Sequence, residues 1–187
     1  MLKFEKVSDK YCYPYIEMLK EWKEDKSDLV PDLLEISCTT KEDYDKIIDV
    51  VNDTANGIHN DKDWYEKGFY YFVVNEQDKL IGAVAIRQNL TELGRAIWGN
   101  IAYGIRPSER RKGYAKIVAQ MLVEKCKELG FHQIIACHYI ENTLSKKVLE
   151  SIHAKLDGTI VSEYSGKKIK RYIITIDKNK EVSNGKI

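Results

Sequence analysis

The first third of the chain combines one strand-like segment with two segments whose apolar residues recur at helical spacing. The segment LKFEKV alternates apolar and polar residues, as a half-buried strand does. Two amphipathic helices are predicted next: YPYIEMLKEWKED, with Tyr15, Met18, Leu19 and Trp22 on one face, and TTKEDYDKIIDVVNDTANG, with Tyr44, Ile47, Ile48 and Val51 on one face. Thr40 or Thr39 is the expected cap of the second helix, which should end near Gly57.

Continuous apolar runs in the middle of the chain predict buried strands. The runs FYYFVV and LIGAVAIRQ are separated by the polar segment NEQDK, which suits a hairpin. The next apolar segment, RAIWGNIAYGIRP, predicts a further strand. That strand should end at Pro107, because proline has no N–H group for a ladder hydrogen bond.

The second half of the chain alternates helical and strand patterns and then closes with a hairpin. After Gly113, an apolar stripe that continues to Leu129 predicts a helix of four or five turns, and Gly130 ends it. A buried strand, a helix and two strands joined around Ser165-Gly166 should follow, in the segments FHQIIACHY, ENTLSKKVLESIHA, KLDGTIVSEY and KKIKRYIITID. This order predicts an α/β fold whose mixed sheet has helices packed on its faces.

Length and charge limit the number of domains and the kinds of partner. With 187 residues the chain is long enough for one well-packed domain and short for two, so we expect one domain over residues 1–177 and a flexible tail over residues 178–187. A formal net charge of +1 gives no overall field that would attract nucleic acid or a membrane, so neither is an expected partner. The competing hypothesis is a small nucleic-acid-binding module whose affinity falls steeply with salt and which uses Arg110, Arg111, Lys112 and Lys116.

The cysteines and the apolar runs bear on metal binding and location. The four cysteines are far apart and form no CxxC pair, which predicts buried reduced thiols rather than a metal site; they are Cys12, Cys38, Cys126 and Cys137. The N-terminal segment lacks the apolar core of a signal peptide, and the longest apolar run is too short to span a bilayer. We therefore expect a cytoplasmic protein without a metal ion.

The segment RRKGYA lies where a strand gives way to the long helix, which is a favourable place for phosphate. The first N–H groups of a helix have no partners within the helix, and the positive end of the helix dipole adds to their attraction for anions. Gly113 allows close approach of the backbone, and positive side chains stand beside it at Arg110, Arg111 and Lys112. The alternative is a solvated basic corner before an ordinary helix. A Walker loop is excluded because Ile105 and Arg106 replace its Lys and Ser/Thr, and no GxGxxG motif opens a dinucleotide unit.

Two motifs in this half of the chain resemble the core of the GNAT superfamily of N-acetyltransferases. Arg110, Gly113 and Ala115 match the superfamily's Arg/Gln-x-x-Gly-x-Gly/Ala motif, and Asn142 and Ser145 match its later Asn-x-x-Ala/Ser motif. The resemblance extends more loosely over most of the chain. It implies an α/β (α+β) fold with a mixed, mostly antiparallel sheet of about seven strands and helices on both faces.

The resemblance also implies acetyl-CoA as a co-substrate and assigns contacts to it. Tyr103, Gly104 and Ile105 would lie on a bulged strand whose free backbone groups pair with the pantetheine arm and hold the acetyl carbonyl. Asn142 would bind the pantetheine arm, and Ser145 or Lys146 would lie near the thiol or the nucleotide end. The pyrophosphate would be wrapped by Arg110, Arg111, Lys112, Gly113, Tyr114 and Ala115.

The chemistry implied by the resemblance is direct attack of an amine on the thioester, without an acyl-enzyme. Many family members carry a tyrosine seven residues after the motif asparagine to protonate the leaving thiolate, but Leu149 stands at that position here. Ser145, another tyrosine or a water molecule could replace it, or the thiolate could leave unaided. The catalytic residues stay open, with His138 and Cys137 as candidates for the base.

The acceptor also stays open. A primary amine of a small molecule or a peptide N-terminus would fit the implied reaction, whereas Leu149 motivates the alternative of a non-catalytic acyl-CoA-binding or sensing domain. Aromatic residues either line an acceptor pocket or belong to the core, namely Trp64, Tyr65, Phe69, Tyr70 and Tyr71. Homodimers are common among similar proteins, so a homodimer is one expected assembly.

Overall fold

The computed structural model describes residues 1–58, 64–163 and 165–176. The helices are α1 (Cys12–Asp25), α2 (Lys41–Ala55), α3 (Tyr114–Glu128) and α4 (Thr143–Ser151). The strands are β1 (Lys3–Lys6), β2 (Tyr65–Val74), β3 (Leu80–Leu90), β4 (Ile101–Ile105), β5 (Gln133–Tyr139), β6 (Lys155–Val161) and β7 (Lys168–Thr175). The predicted tail over residues 178–187 lies outside the described residues.

The seven strands form two sheets. One sheet has the order β1-β2-β3-β4 and the other has the order β5-β7-β6, and every ladder between neighbouring strands is antiparallel. A single β-bridge between Gly99 and Ala136 joins the two sheets within the described residues. The predicted seven-stranded, mostly antiparallel architecture is confirmed, but the sheet is split in the middle.

Helices cover both faces of the sheets, as predicted. Helices α1 and α2 bury Trp22, Tyr15 and Tyr44 against one face. Helices α3 and α4 bury Val118, Leu122 and Leu149 against the other face, in a second core that contains residues of both sheets. The second core therefore holds the two sheets together on the side where α3 begins.

Local signals set the ends of the helices. Thr40 accepts a hydrogen bond from the Asp43 N–H (3.1 Å) and receives one on its own N–H from the Asp43 carboxylate (3.1 Å), which is a reciprocal capping box. Hydrogen bonds from the N–H and hydroxyl groups of Thr39, together with those from Thr40, lower the pKa of Asp43 to about 2. Helix α3 has the left-handed Gly113 at its start and the left-handed Gly130 beyond its end.

No helix within the described residues is long and apolar enough to cross a membrane.

The strand predicted over RAIWGNIAYGIRP begins later than its apolar pattern indicates. Residues Gly94–Trp98 form one turn of π-helix, and β4 starts only at Ile101. The turn is held by side chains, because Thr91 accepts a hydrogen bond from the Gly94 N–H (3.2 Å) and Trp98 stacks on Trp64 at 4.5 Å between ring centroids. A tertiary aromatic contact has thus outweighed the local preference for a strand.

Candidate functional site

The two sheets meet at Asn100 and separate beyond it. The Asn100 N–H donates to the carbonyl of Ile135 (2.7 Å), and its side-chain oxygen accepts from the Ile135 N–H (2.8 Å). Its side-chain amide donates to the carbonyl of Arg87 (2.9 Å), and its own carbonyl accepts from the Arg87 N–H (2.7 Å). Past this point β4 pairs only with β3, and β5 pairs only with β7, within the described residues. A cleft therefore opens between β4 and β5.

One edge of β4 presents backbone groups to this cleft. The bonds from Arg87 N–H to the Asn100 carbonyl (2.7 Å) and from Arg106 N–H to the Ile81 carbonyl (2.9 Å) show that even-numbered residues of β4 bond to β3. The N–H groups of Tyr103 and Ile105 therefore point away from β3, and the described residues offer them no hydrogen-bond partner. An extended ligand could pair with this edge as an added strand would.

The Cα of Gly104 faces α1 and the connection that follows it, and close packing on that face leaves no room for a side chain. A Cβ atom at this position would collide with the carbonyl oxygen of Val30 and approach the ring of Trp22. The connection between α1 and α2 therefore lies directly on β4. Of the three strand residues expected to bind the co-substrate, Tyr103 and Ile105 turn their backbone groups to the cleft and Gly104 provides space for this connection.

The loop from β4 to α3 carries a run of free backbone donors. Arg111 and Gly113 both adopt left-handed backbone conformations, with φ of 62° and 80°. No backbone hydrogen bond from the N–H groups of residues 111–115 is present in the described part of the chain, and no side chain caps α3. Apart from Gly113 and its two chain neighbours, no described residue has an atom within 4 Å of the position that a Gly113 Cβ would take. The start of α3 thus combines unpaired N–H groups with open space beside Gly113, which suits a phosphate.

The three cations of this loop differ in their partners. The Arg110 side chain donates to the carbonyl of Ile105 (3.0 Å), to Asp25 (2.7 Å) and to Ser27 (2.8 Å), and it lies over the ring of Trp22. Lys112 pairs with the buried Glu109 at 2.9 Å. Arg111 forms no ion pair with any described residue and is exposed. Arg110 therefore fastens the loop to α1, and Arg111 is the side chain best able to add charge to a phosphate.

Asn142 and Ser145 form the first turn of α4. The Asn142 side-chain oxygen accepts a hydrogen bond from the Ser145 N–H (3.0 Å), so this asparagine is the N-cap of the helix. Leu149 points into the core and is 2% exposed. The motif residues thus have a local structural role, and the helix offers no tyrosine at the position where many relatives carry one.

The Tyr103 side chain lies on the face covered by α3 and α4. Its hydroxyl is buried and has no hydrogen-bond partner among the described residues. Burial raises the pKa of Tyr103 to about 12, while the nearby Ser145 hydroxyl acts in the opposite direction. The side chains of Tyr103 and Ser145 therefore approach each other from β4 and α4.

The two candidate bases lie on opposite faces of β5. His138 is buried and stacks on Tyr172 at 5.4 Å between ring centroids; its Nδ1 is 2.7 Å from the Tyr139 carbonyl, and its Nε2 is buried without a partner among the described residues. Cys137 packs on the other face beside Tyr65. Burial raises the pKa of Cys137 to about 12, so its thiol is protonated at neutral pH and is a poor base. The geometry therefore favours His138 over Cys137.

Sequence reasoning missed a buried ion pair near the junction of the sheets. Arg87 donates to Asp32 at 3.0 Å, and Tyr70 donates to both oxygens of the same carboxylate at 3.1 Å. The one available signal is an arginine inside the apolar strand LIGAVAIRQ, because a buried arginine requires a partner. Among the described residues, no group of three or more His, Cys, Asp or Glu side chains could hold a metal ion.

Comparison with protein families gives one match over most of the chain. The profile of the acetyltransferase (GNAT) domain matches residues 19–155. Comparison with curated protein sequences gives no match.

Solved structures with the same fold are similar over almost their whole length. The ribosomal L7/L12 alpha-N-protein acetyltransferase RimL, in complex with coenzyme A, is 16% identical, with 95% of this chain and 96% of that chain covered and a TM-score of 0.70. The microcin C7 self immunity acetyltransferase MccE, in complex with acetyl-CoA and AMP, is 16% identical, with 94% and 92% covered and a TM-score of 0.68. A spermidine N-acetyltransferase SpeG chimera from Vibrio cholerae and hSSAT is 17% identical, with 93% and 95% covered and a TM-score of 0.65.

Proposed function

The chain belongs to the GNAT family of acetyltransferases, and from this premise we propose that it transfers an acetyl group from acetyl-CoA to a primary amine by direct attack on the thioester. One observation supports this proposal more than any other. The unpaired N–H groups of residues 111–115 directly follow the strand that turns free backbone groups into the cleft between the two sheets. A phosphate site and a strand-like binding edge are therefore continuous, as a molecule with a pyrophosphate and a long amide-bearing arm requires.

The residues present fit coenzyme A in charge and in hydrogen-bonding capacity. The start of α3 and Arg111 would hold the pyrophosphate, whereas Lys112 would share its charge with Glu109. The backbone of Tyr103 and Ile105 would pair with the pantetheine amides, and the Asn142 side-chain amide is available to the same arm because only its oxygen is used in the cap. When bound, acetyl-CoA supplies the activated acetyl group.

In the reaction, the chain would orient the two substrates, stabilise the negative charge that develops on the carbonyl oxygen, and accept a proton from the amine. A backbone N–H of the β4 edge, near Ile105, would donate to the oxygen that becomes negative during attack. His138 is the candidate that would accept the proton of the ammonium, directly or through water. The proposed route without a covalent acyl-enzyme is supported by Cys137, whose buried thiol is held protonated.

The acceptor is proposed to be a small-molecule amine or a peptide N-terminus. Proteins of the same fold carry names that include a ribosomal-protein alpha-amino group and spermidine as acceptors. The connection between α1 and α2 covers the face of β4 opposite α3, at Gly104, so the acceptor would enter beside this connection.

Two glycine variants test the co-substrate site. Gly113→Ala adds a methyl group in the open space before α3 at φ 80°, and Gly130→Ala adds one in open space after the same helix at φ 82°. Both changes impose similar backbone strain, of about 1–2 kcal/mol. Titration calorimetry with acetyl-CoA should show a loss of affinity of about tenfold or more, or about 1.4 kcal/mol, for Gly113→Ala only. The reason is that the added methyl group at Gly113 stands where the phosphate would approach the backbone, whereas Gly130 lies at the other end of the helix.

Equal affinities of both variants and the native chain would contradict the proposed site, and the absence of any binding to the native chain would contradict the proposed function. Release of free thiol in the presence of a panel of amines then tests the reaction. Tight binding of acetyl-CoA without amine-dependent release of thiol across the panel would favour the sensing domain instead.

A further inference from the structure

The buried hydroxyl of Tyr103 makes no well-formed hydrogen bond with a described residue, although the Ser145 side chain lies nearby. A buried polar group without a partner lowers stability, whereas phenylalanine in the same place would carry no such penalty. A buried polar group that a fold leaves unsatisfied requires an explanation, and a role in the reaction is one such explanation. The Tyr103 hydroxyl is therefore a candidate for a role in the reaction.

The hydroxyl lies in the core beneath α3 and α4, on the strand that borders the cleft. Tyr103 is a residue of β4 whose backbone N–H faces the gap between the sheets, and its ring packs in the core formed with α3 and α4. Its hydroxyl is near that of Ser145, in the first turn of α4. Leu149 is buried in the same core and cannot give a proton. Within the described part of this core, Tyr103 is thus the phenol that reaches across from β4 towards α4.

The reaction leaves a thiolate that needs a proton. The neutral amine nitrogen bonds to the carbonyl carbon and loses one proton to His138 or to water, and the carbon–sulfur bond breaks with its electron pair staying on sulfur. A phenol is a stronger acid than the aliphatic hydroxyl of Ser145, so Tyr103 is the better donor of the two. Burial raises the pKa of Tyr103 to about 12, so the phenol carries its proton at neutral pH.

We propose that Tyr103 gives its phenolic proton to the sulfur of the departing coenzyme A and is reprotonated from solvent through the Ser145 hydroxyl. This inference rests on the proposed function. It makes β4, rather than α4, the element that supplies the acid, and it explains how a chain with Leu149 can complete the reaction.

Coenzyme A itself is the probe, so the test needs no knowledge of the acceptor. The ultraviolet absorbance of the thiolate gives the pKa of the bound thiol as pH is raised. A hydroxyl that donates to sulfur stabilises the thiolate and lowers this pKa. Tyr103→Phe should therefore raise the pKa of the bound thiol by about one to two units, while the affinity for the protonated thiol changes little.

Thermal unfolding of the ligand-free variant separates this role from a structural one. Because the hydroxyl makes no well-formed hydrogen bond, Tyr103→Phe should melt at the same temperature as the native chain or above it. The matched control is Tyr71→Phe, which removes a hydroxyl from β2 where the ring stacks on Phe4. That change should leave the pKa of the bound thiol unaltered.

Each result decides the matter. An unchanged thiol pKa in Tyr103→Phe overturns the inference, as does a shift produced only by Ser145→Ala or only by His138→Asn. A large fall in melting temperature would assign Tyr103 a structural role and also count against it. Failure of the native chain to bind coenzyme A would instead remove the proposed function, so the two failures are distinguishable.

Discussion

Asp32 and Arg87 form a buried ion pair that ties the connection between α1 and α2 to the sheet. Their side chains are 6% and 3% exposed, with 3.0 Å between Nη2 and Oδ1. The Arg87 guanidinium also reaches the Gly99 carbonyl (3.4 Å), next to the junction of the sheets. A buried charge whose partner is removed is far more destabilising than the loss of the whole pair.

Asp32→Ala should accordingly lower the free energy of unfolding by about 3–5 kcal/mol, because it leaves the Arg87 charge buried without its partner. Urea denaturation measures the change. The double variant Asp32→Leu/Arg87→Met should recover a large part of the loss, and Asp49→Ala on the exposed side of α2 should cost little. A double variant less stable than Asp32→Ala would contradict this account of the pair.

At the scale of elements, Asn100 fixes the point at which β4 and β5 separate. All four of its hydrogen-bonding groups are used, two towards Arg87 in β3 and two towards Ile135 in β5. A valine or alanine would keep the two backbone bonds but would lose the two side-chain bonds, to the Arg87 carbonyl and to the Ile135 N–H. The direction of the cleft therefore depends on one side chain at the first residue before the strand.

Asn100→Ala should destabilise the fold by about 2–4 kcal/mol, because the Arg87 carbonyl and the Ile135 N–H would both lose a buried partner. It should also weaken binding of coenzyme A, since the two strands would no longer be held at a fixed angle. Chemical denaturation and calorimetry measure the two effects. Asn52→Ala, on the exposed side of α2, is the control; an equally small effect of both changes would refute the role given to Asn100.

The turn Pro107–Glu109 is fastened to its surroundings by two carboxylates. Burial alone would raise the pKa of Glu21, but hydrogen bonds from the Ser108 N–H and from Arg106 outweigh it and lower this pKa. Burial likewise opposes ionisation of Glu109, and its bonds to Lys79 and Lys112 lower its pKa in the same way. The loop that precedes α3 is therefore held by charged groups.

This arrangement predicts a loss of order in the loop in acid. Because both folded pKa values lie below the ordinary glutamate value of about 4.3, their stabilising effect is fully present above that pH and is lost as the pH falls through the lowered values. Amide hydrogen exchange of Ser108, Glu109 and Arg110, whose N–H groups are hydrogen-bonded, should rise below about pH 4 before that of β3 does. Glu21→Gln should already show faster exchange at neutral pH. Simultaneous opening of the loop and β3 at every pH would contradict the prediction.

At the scale of the whole molecule, the described parts of the two sheets share one bridge and a core on the side of α3 and α4. A ligand in the cleft would contact both sheets and would bind only the folded chain. Such a ligand raises stability by mass action, by about 2.7 kcal/mol at a concentration 100 times its dissociation constant.

Coenzyme A should therefore raise the melting temperature and slow hydrogen exchange in both β4 and β5. Adenosine 3′,5′-bisphosphate, which lacks the pantetheine arm, is the matched control and should protect the start of α3 without protecting Tyr103 or Ile105. Mass spectrometry of exchanged peptides distinguishes the two patterns. Equal protection of the strands by both ligands would show that the arm does not lie in the cleft.

The sequence by itself determined most of the elements, because their signals are local. The stripe after Gly113, the capping residue Thr40 and the polar segment between β2 and β3 are each set by neighbours within a few residues, so their positions agree with the structure. The family motifs are local too, and they located the loop and the turn of α4. The π-helical turn at Gly94–Trp98 departs from this pattern because Trp64, thirty or more positions away, stacks on it.

Only the tertiary structure decided how these elements form a cleft and what each side chain does there. Arg110 belongs to a segment that the sequence predicts to bind phosphate. Its side chain instead bonds to Asp25 and Ser27, which are more than eighty positions away. The splitting of the sheet at Asn100, the ion pair of Asp32 with Arg87 and the approach of Tyr103 to Ser145 also join distant segments. Such contacts depend on how the chain packs. A buried polar or charged group requires a partner, and the residues next to it in the sequence do not show which distant residue that partner is.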